Sequence, residues 1–306
     1  MVELARRGDG AFEMRVGGDT FNAAIYMARL GTAVAYMTAL GDDRYSGLIL
    51  DTAASDGIVT EGTVIIAPGR LPGLYLIETT SGERTFTYWR ERAPARELLE
   101  LEGAARLVEA IARAELVYLS GVTLSLYAET GLDRLAGALV RARSNGGRVV
   151  LDSNYRPVGW GGDKPRAQAV FERFWRLSDI ALPSYDDEQA LWGDTTPSDT
   201  LARLRRFGAA EICIKDGARG AHVAAGPGSG GGGGEGLARV PAETGPAPLD
   251  TTAAGDSFNA AYVHARLWGA EPAQAAVLGN RLAGIVIQHP GAIAPRAATM
   301  GLVPPA

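Results

Sequence analysis

From Gly18 onward the chain alternates amphipathic stretches, whose apolar residues fall three and four apart, with short runs of consecutive apolar residues. This pattern specifies a layered α/β domain, because parallel strands are buried on both faces and each needs a crossover helix to reach the next. Residues 19–30 read as a first helix stopped by Gly31, followed by a buried strand over 33–40. The unit recurs: a helix over 97–114 feeds a strand over 116–120, and one over 132–144 feeds 148–152. Helices over 167–177 and 198–207 lead into strands at 180–182 and 212–215, and helices over 256–268 and 272–288 close the chain.

Two stretches break the alternation. Residues 2–16 and roughly 62–90 read as strands, with hairpin turns at Gly8-Asp9-Gly10 and Ser81-Gly82. They predict a small β-sheet lid of residues 1–17 and 62–90 over an α/β body of residues 18–61 and 91–306. The chain of 306 residues is long enough for one large domain or two ordinary ones, and a lid of this size cannot bury a core alone. Along the strand Arg84–Arg90, Phe86, Tyr88 and Arg90 share one face and Thr85, Thr87 and Trp89 the other.

Composition excludes several roles. A formal charge of −5 gives no bulk attraction for nucleic acid or an anionic membrane, so neither is expected as a partner. Of the 30 basic residues only Lys164 and Lys215 are lysines, so any single arginine is weak grounds for a site. One cysteine, Cys213, and three scattered histidines provide neither a disulfide nor zinc-ligand spacing, which fits a reducing cytoplasm. Cys213 lies within an apolar run and reads as a buried thiol. No run approaches the apolar length of a membrane span, and the first residues lack a signal-peptide core. The low-complexity segment 226–236 contains Gly226-x-Gly228-x-x-Gly231, but the residues after it, 237–242, read as strand. A dinucleotide fingerprint without a helix start cannot direct amides at a pyrophosphate, so the match is rejected.

Two segments carry chemistry. Asp250-Thr251-Thr252-Ala253-Ala254-Gly255-Asp256 leads directly into a helix. Small residues there let amides at a helix start face an anion, and Asp256 adds a carboxylate at the same place. Phosphoryl transfer needs both parts, amides for the charge and a carboxylate for a hydroxyl proton; a plain helix cap would leave the same local pattern. Gly17-Gly18-Asp19-Thr20-Phe21-Asn22 is again a glycine pair entering a helix, with Asp19 and Asn22 one turn apart.

Together, Gly17-Gly18-x-x-x-Asn22-x-Ala24 and Asp250-Thr251-x-x-Ala254-Gly255-Asp256 resemble the two signatures of the ribokinase-like (PfkB) carbohydrate kinases. Within that family the chain is most similar to the kinases of 2-keto-3-deoxygluconate, through the segments 71–75 and 82–90, through Asp152-Ser153-Asn154-Tyr155-Arg156, and through Ala253 in the second signature. The resemblance implies a three-layer αβα fold with a mostly parallel central sheet and a β lid. It also implies ATP-dependent phosphorylation of a sugar acid at C6, with Mg2+ as the accompanying metal. On that basis Asp256 is the expected base, with the amides of Ala253, Ala254, Gly255 and Asp256 as an anion hole. Gly18, Asp19, Asn22, Tyr75, Tyr88, Arg90 and Arg156 would contact the sugar acid, the two arginines suiting a carboxylate. Lys215, Gly217, Gly220, Thr251, Gly255 and Asn280 would hold ATP, and Asp187 and Glu188 would shape the metal's surroundings. A kinase of fructose or of 2-keto-3-deoxygalactonate, or a weakly catalytic sugar-acid binding protein, remains open at this point. A homodimer through the lid is also expected from the resemblance.

The chain departs from the family where Ser184-Tyr185-Asp186-Asp187-Glu188 replaces an Asn-x-x-Glu segment, in its polyglycine run, and in lacking the buried first strand that precedes the match to Met1-Val2-Glu3-Leu4. That strand is expected upstream of Met1, because its loss would leave unpaired backbone on both neighbours.

Overall fold

The computed structural model describes residues 1–6, 10–80, 83–224, 236–299 and 302. Its elements run β1 (Val2–Arg6), β2 (Phe12–Val16), α1 (Asp19–Arg29), β3 (Thr38–Leu40), α2 (Arg44–Ser55), β4 (Val64–Ile66), β5 (Leu74–Thr80), β6 (Glu83–Trp89) and α3 (Ala104–Ala112). They continue as β7 (Leu116–Ser120), α4 (Gly121–Leu126), α5 (Glu129–Ser144), β8 (Arg148–Asp152), α6 (Lys164–Trp175), β9 (Ile180–Leu182), α7 (Tyr185–Trp192) and α8 (Pro197–Phe207). The chain ends with β10 (Glu211–Lys215), β11 (Ala221–Ala224), β12 (Ala238–Val240), α9 (Ala254–Leu267), α10 (Pro272–Val286) and α11 (Arg296–Thr299).

The central sheet has the order β12-β11-β10-β9-β8-β7, parallel from β7 to β10 and antiparallel at β11 and β12. Strand alternation divides its side chains between two cores. Val149 and Leu151 of β8 join Phe171, Trp175 and Leu139 on the α3–α8 side, whereas Val150 joins Tyr26, Phe258 and Leu278 under α1, α9 and α10. These are the three layers expected of the sequence. Cys213 is fully buried in the second core, and burial pushes its thiol well up, as suits an inert side chain.

The lid is a sheet of order β2-β1-β5-β6, with β1 parallel to β5 and the outer pairs antiparallel. Tyr75 pairs with Tyr88 across β5 and β6, so both rings stand on the face that carries Glu3. Residues 8 and 9 of the turn expected at Gly8-Asp9-Gly10, the turn expected at Ser81-Gly82, and residues 226–235 of the low-complexity segment lie outside the described residues.

The lid is smaller than expected. Residues 64–66 form β4, which pairs in parallel with β3 and packs Val64 and Ile65 into the body. The expected strand over 33–40 is regular only at Thr38–Leu40, with Ala35 bridging to Val59. The helix expected over 97–114 begins only at Ala104, because Gly103 adopts a left-handed conformation (φ 85°) that interrupts it. Helices α2, α4, α7 and α11 have no expected counterpart.

The β3–β4 pair is not joined to the central sheet. Between β7 and residues 33–37 lies an apolar cavity of about 580 Å3, lined also by Met27, Leu99 and Leu135.

Candidate active site

Strands β7, β8, β9 and β10 end at one edge of the body, and the crevice outside the carboxyl ends of parallel strands is where α/β folds bind ligands. Here the lid, the start of α1 and the start of α9 enclose a cavity of about 780 Å3. Gly18, Asp19, Asn22, Tyr75, Tyr88, Arg90, Arg156, Asp187, Lys215, Thr251 and the segment Ala253–Asp256 all line it. Residues from the lid, from both signatures and from the β8 and β9 ends thus meet in one place.

Ala253 precedes α9 in a left-handed conformation (φ 60°, ψ 15°), unusual for a residue with a side chain. The turn it makes starts the helix at Ala254. The Ala254 amide is bonded to the Thr251 carbonyl, whereas the amides of Ala253, Gly255 and Asp256 have no backbone partner among the described residues at the positive end of the helix. Of the four amides expected to face an anion, that of Ala254 is thus taken up within the turn.

Asn22 Nδ2 donates to Asp256 Oδ2 at 2.8 Å, fixing the carboxylate and leaving Oδ1 to accept from another donor. Burial, then the nearby Asp19 carboxylate, pushes Asp256 up to about 7, against the Asn22 hydrogen bond and the Lys215 charge. A helix start by itself favours the ionised form; here desolvation and a second carboxylate outweigh that dipole. Asp19 itself accepts from Ser120 Oγ and from Asn154 Nδ2 (3.2 Å), and burial holds it above the ordinary carboxylate range.

Lys215, at the end of β10, is buried and donates to Asp152 Oδ1 (2.7 Å) and Asn259 Oδ1 (3.0 Å). Asn259 in turn donates to the Tyr118 hydroxyl at 2.9 Å. This network sets a cation beneath the start of α9, where a Cβ on Gly255 would come 3.8 Å from Lys215 Nζ.

On the lid, Tyr75 donates to the buried Glu3 carboxylate, and a Cβ on Gly17 would fall 2.5 Å from the Tyr75 hydroxyl. That close approach explains the first glycine of the pair. The Arg90 guanidinium lies 4.6 Å from the Tyr88 ring centre and, among the described residues, pairs with no carboxylate. Arg156, half exposed, donates to Asp187 Oδ1 at 3.1 Å.

Several expected residues lie elsewhere. Glu188, expected at the metal, is buried outside the cavity and accepts from Arg203 Nη2 at 2.8 Å; burial pushes its carboxyl up to about 7. Consecutive residues of a helix point about 100° apart, so at the start of α7 Asp187 faces the cavity, Glu188 the interior and Asp186 the solvent. Asn280 donates to the carbonyls of Val240 and Pro241, tying α10 to the exit of β12, and does not line the cavity. Gly217 and Gly220 also lie off the cavity. Gly220 is required by packing, since a Cβ there would fall 2.2 Å from the Val240 carbonyl.

No role was expected of Glu3, Ser120, Asp152, Asn154 or Asn259, although Asp152 and Asn154 lie in a segment that carries the resemblance. A polar residue ending an apolar strand, as in Ser120 and Asp152, was the available signal.

A model of the pfkB family of carbohydrate kinases matches residues 6–299. The 2-dehydro-3-deoxygluconokinase of Escherichia coli K12 is 41% identical, over 97% of this chain and 96% of its own length. That of Dickeya dadantii is 38% identical, over 96% and 94%. In fold the chain is similar to a structure titled as a putative ribokinase II from E. coli in complex with ATP and Mg2+. That pair has a TM-score of 0.81 at 21% identity, covering 98% of this chain and 93% of the other.

Proposed function

Because the chain belongs to the pfkB family of carbohydrate kinases, we propose that it transfers the γ-phosphoryl group of ATP to the C6 hydroxyl of 2-keto-3-deoxygluconate, giving 2-keto-3-deoxy-6-phosphogluconate. The observation that carries the chemistry is the juxtaposition of Asp256, held by Asn22, with the open amides of Gly255 and Asp256. Asp256 accepts the hydroxyl proton as the sugar oxygen bonds to the γ-phosphorus. The bond from that phosphorus to the β,γ-bridging oxygen breaks, ADP leaves, and Asp256 returns its proton to solvent. The amides and Lys215 hold the negative charge of the transferring group, and Thr251 faces the same part of the cavity.

The choice of a sugar acid rests on the names of the close relatives and on two arginines. Arg90 and Arg156 line one cavity, and a neutral sugar gives neither a partner for its fork. Tyr75 and Tyr88 supply an apolar wall that excludes water, which would otherwise compete for the phosphoryl group. Among the described residues no group of three or more His, Cys, Asp or Glu could hold a metal ion, which suits Mg2+, because it keeps its waters and takes phosphate oxygens as ligands. When bound, it offsets phosphate charge.

One further reading accompanies this one. The outer lid face exposes Phe12, Met14 and Trp89 and has the character of a homodimer contact.

A panel of substrates followed by coupled ADP release tests the main proposal. Turnover of 2-keto-3-deoxygluconate well above that of fructose, ribose and 2-keto-3-deoxygalactonate is expected. Preference for a neutral sugar overturns the assignment.

A further inference from the structure

Asp187 stands where the family resemblance places an acid near the metal, yet its contacts are of another kind. Its Oδ2 accepts from Ser153 Oγ and from the Tyr155 amide, each at 3.1 Å, and its Oδ1 accepts from Arg156 Nη1 at 3.1 Å. Three donors of one short segment therefore converge on a single, mostly buried carboxylate.

That segment, residues 152–156, leaves β8 in an irregular path. Asn154 has a left-handed backbone (φ 29°), which Asn tolerates better than most residues. Ser153 Oγ also accepts from the Ser184 amide at 2.9 Å, tying the loop to the end of β9 just before α7. Within five residues the segment presents Asp152 to Lys215, Asn154 to Asp19 and Arg156 to the cavity. Contacts from Asp187 and Ser184 hold its middle, at Ser153 and Tyr155, from outside the segment.

A divalent cation on Asp187 would share its oxygens with the Arg156 guanidinium one hydrogen bond away. The like charges would repel, and the clamp on the loop would weaken. We infer that Asp187 is a positioning residue for the sugar acid: it clamps the 153–156 loop so that Arg156 is presented to the substrate carboxylate, and it is not a ligand of the metal. This rests on the sugar-acid reading and extends it to a specificity role. Arg156 Nη1 is held by Asp187 and by the Tyr155 carbonyl (2.8 Å), which leaves its other donors for the substrate.

The test uses the full chain with Asp187→Asn and the milder Ser153→Ala. Calorimetry gives the Kd of 2-keto-3-deoxygluconate without ATP or Mg2+; steady-state kinetics give KM for the sugar acid, KM for ATP and half-saturating Mg2+. Losing one charge-assisted hydrogen bond predicts that Asp187→Asn raises the sugar-acid Kd and KM about tenfold or more. KM for ATP and half-saturating Mg2+ should stay within about twofold of wild type by the same reasoning. Ser153→Ala should raise the same Kd by less, because the Tyr155 and Arg156 contacts survive.

A rise in half-saturating Mg2+ with an unchanged sugar-acid Kd makes Asp187 a metal ligand and overturns the inference. If Asp187→Asn does not fold, an unmoved Kd in Ser153→Ala overturns it. Wild-type protein with no affinity for the sugar acid overturns the substrate reading, and this inference with it. Wild-type affinity that neither variant disturbs overturns the role of Asp187 alone.

Discussion

Asn22 Nδ2 sits 2.8 Å from Asp256 Oδ2, joining residues 234 positions apart, so the first turn of α1 orients the carboxylate at the start of α9. Asp256→Asn keeps the side-chain shape and removes the base. General-base catalysis contributes about 10²–10⁴-fold, so kcat should fall by that order while sugar-acid affinity is kept. A protein that only binds sugar acids has no turnover to lose, and single-turnover ADP release separates the two readings.

The pH dependence follows from the position of Asp256 near 7. Only the ionised carboxylate accepts a proton, so kcat/KM should rise with pH and level off above neutrality. The Asn22 hydrogen bond holds the carboxyl down, and Asn22→Ala should move the midpoint upward. Stability has the opposite sign. A group raised from its ordinary value of 3.8 to about 7 favours folding fully below the lower value, and that contribution is lost as pH rises through the upper one. Asp256→Asn, with no charge to bury, should therefore gain Tm over wild type at pH 8 and much less at pH 5.

Ala253 carries a left-handed backbone. For a residue with a side chain this costs about 1–2 kcal/mol, against about 0.5–1 kcal/mol for the greater chain freedom of glycine in the unfolded state. Ala253→Gly should stabilise the fold by up to about 1 kcal/mol in urea titration, with kcat little changed.

Lys215 and Asp152 form a buried pair at 2.7 Å. Removing one partner of such a pair typically costs about 3–5 kcal/mol, because the remaining charge is stranded. Lys215→Met should show a loss of this order in denaturation and weakened ATP binding. Adding Asp152→Asn should recover much of the stability but not the ATP affinity.

On the outer lid face the register sets Met14 against Leu4 and Trp89 against Leu74. Phe12→Asp with Met14→Asp should shift sedimentation from dimer to monomer. Trp89 stands on the face opposite Tyr88, so its fluorescence should follow that dissociation more closely than sugar binding.

Much of the site was legible because local patterns wrote it. Gly17-Gly18 before α1, and small residues before Asp256, are requirements of close approach and of a helix start, and both segments line the cavity as expected. Strand alternation put Tyr88 and Arg90 on one face, the resemblance singled them out, and both line the cavity. Glu188 and Asn280 were not legible, because a side chain with a plausible motif position can turn to a buried partner, Arg203 or the Val240 carbonyl, that only packing supplies. The early end of the lid was missed because β4 takes its place by pairing with β3, a long-range choice.

By itself the sequence determined where helices and strands alternate and which short segments could face an anion, since both depend on spacing within a few residues. Tertiary structure alone decided which partner each buried polar group found. Asp152 met Lys215, Asn22 met Asp256 and Asp187 met Arg156 because strand order brings the carboxyl ends of β8, β9 and β10 together beside two helix starts. A buried charge must be paired wherever the chain places it, and that place is a property of the whole sheet.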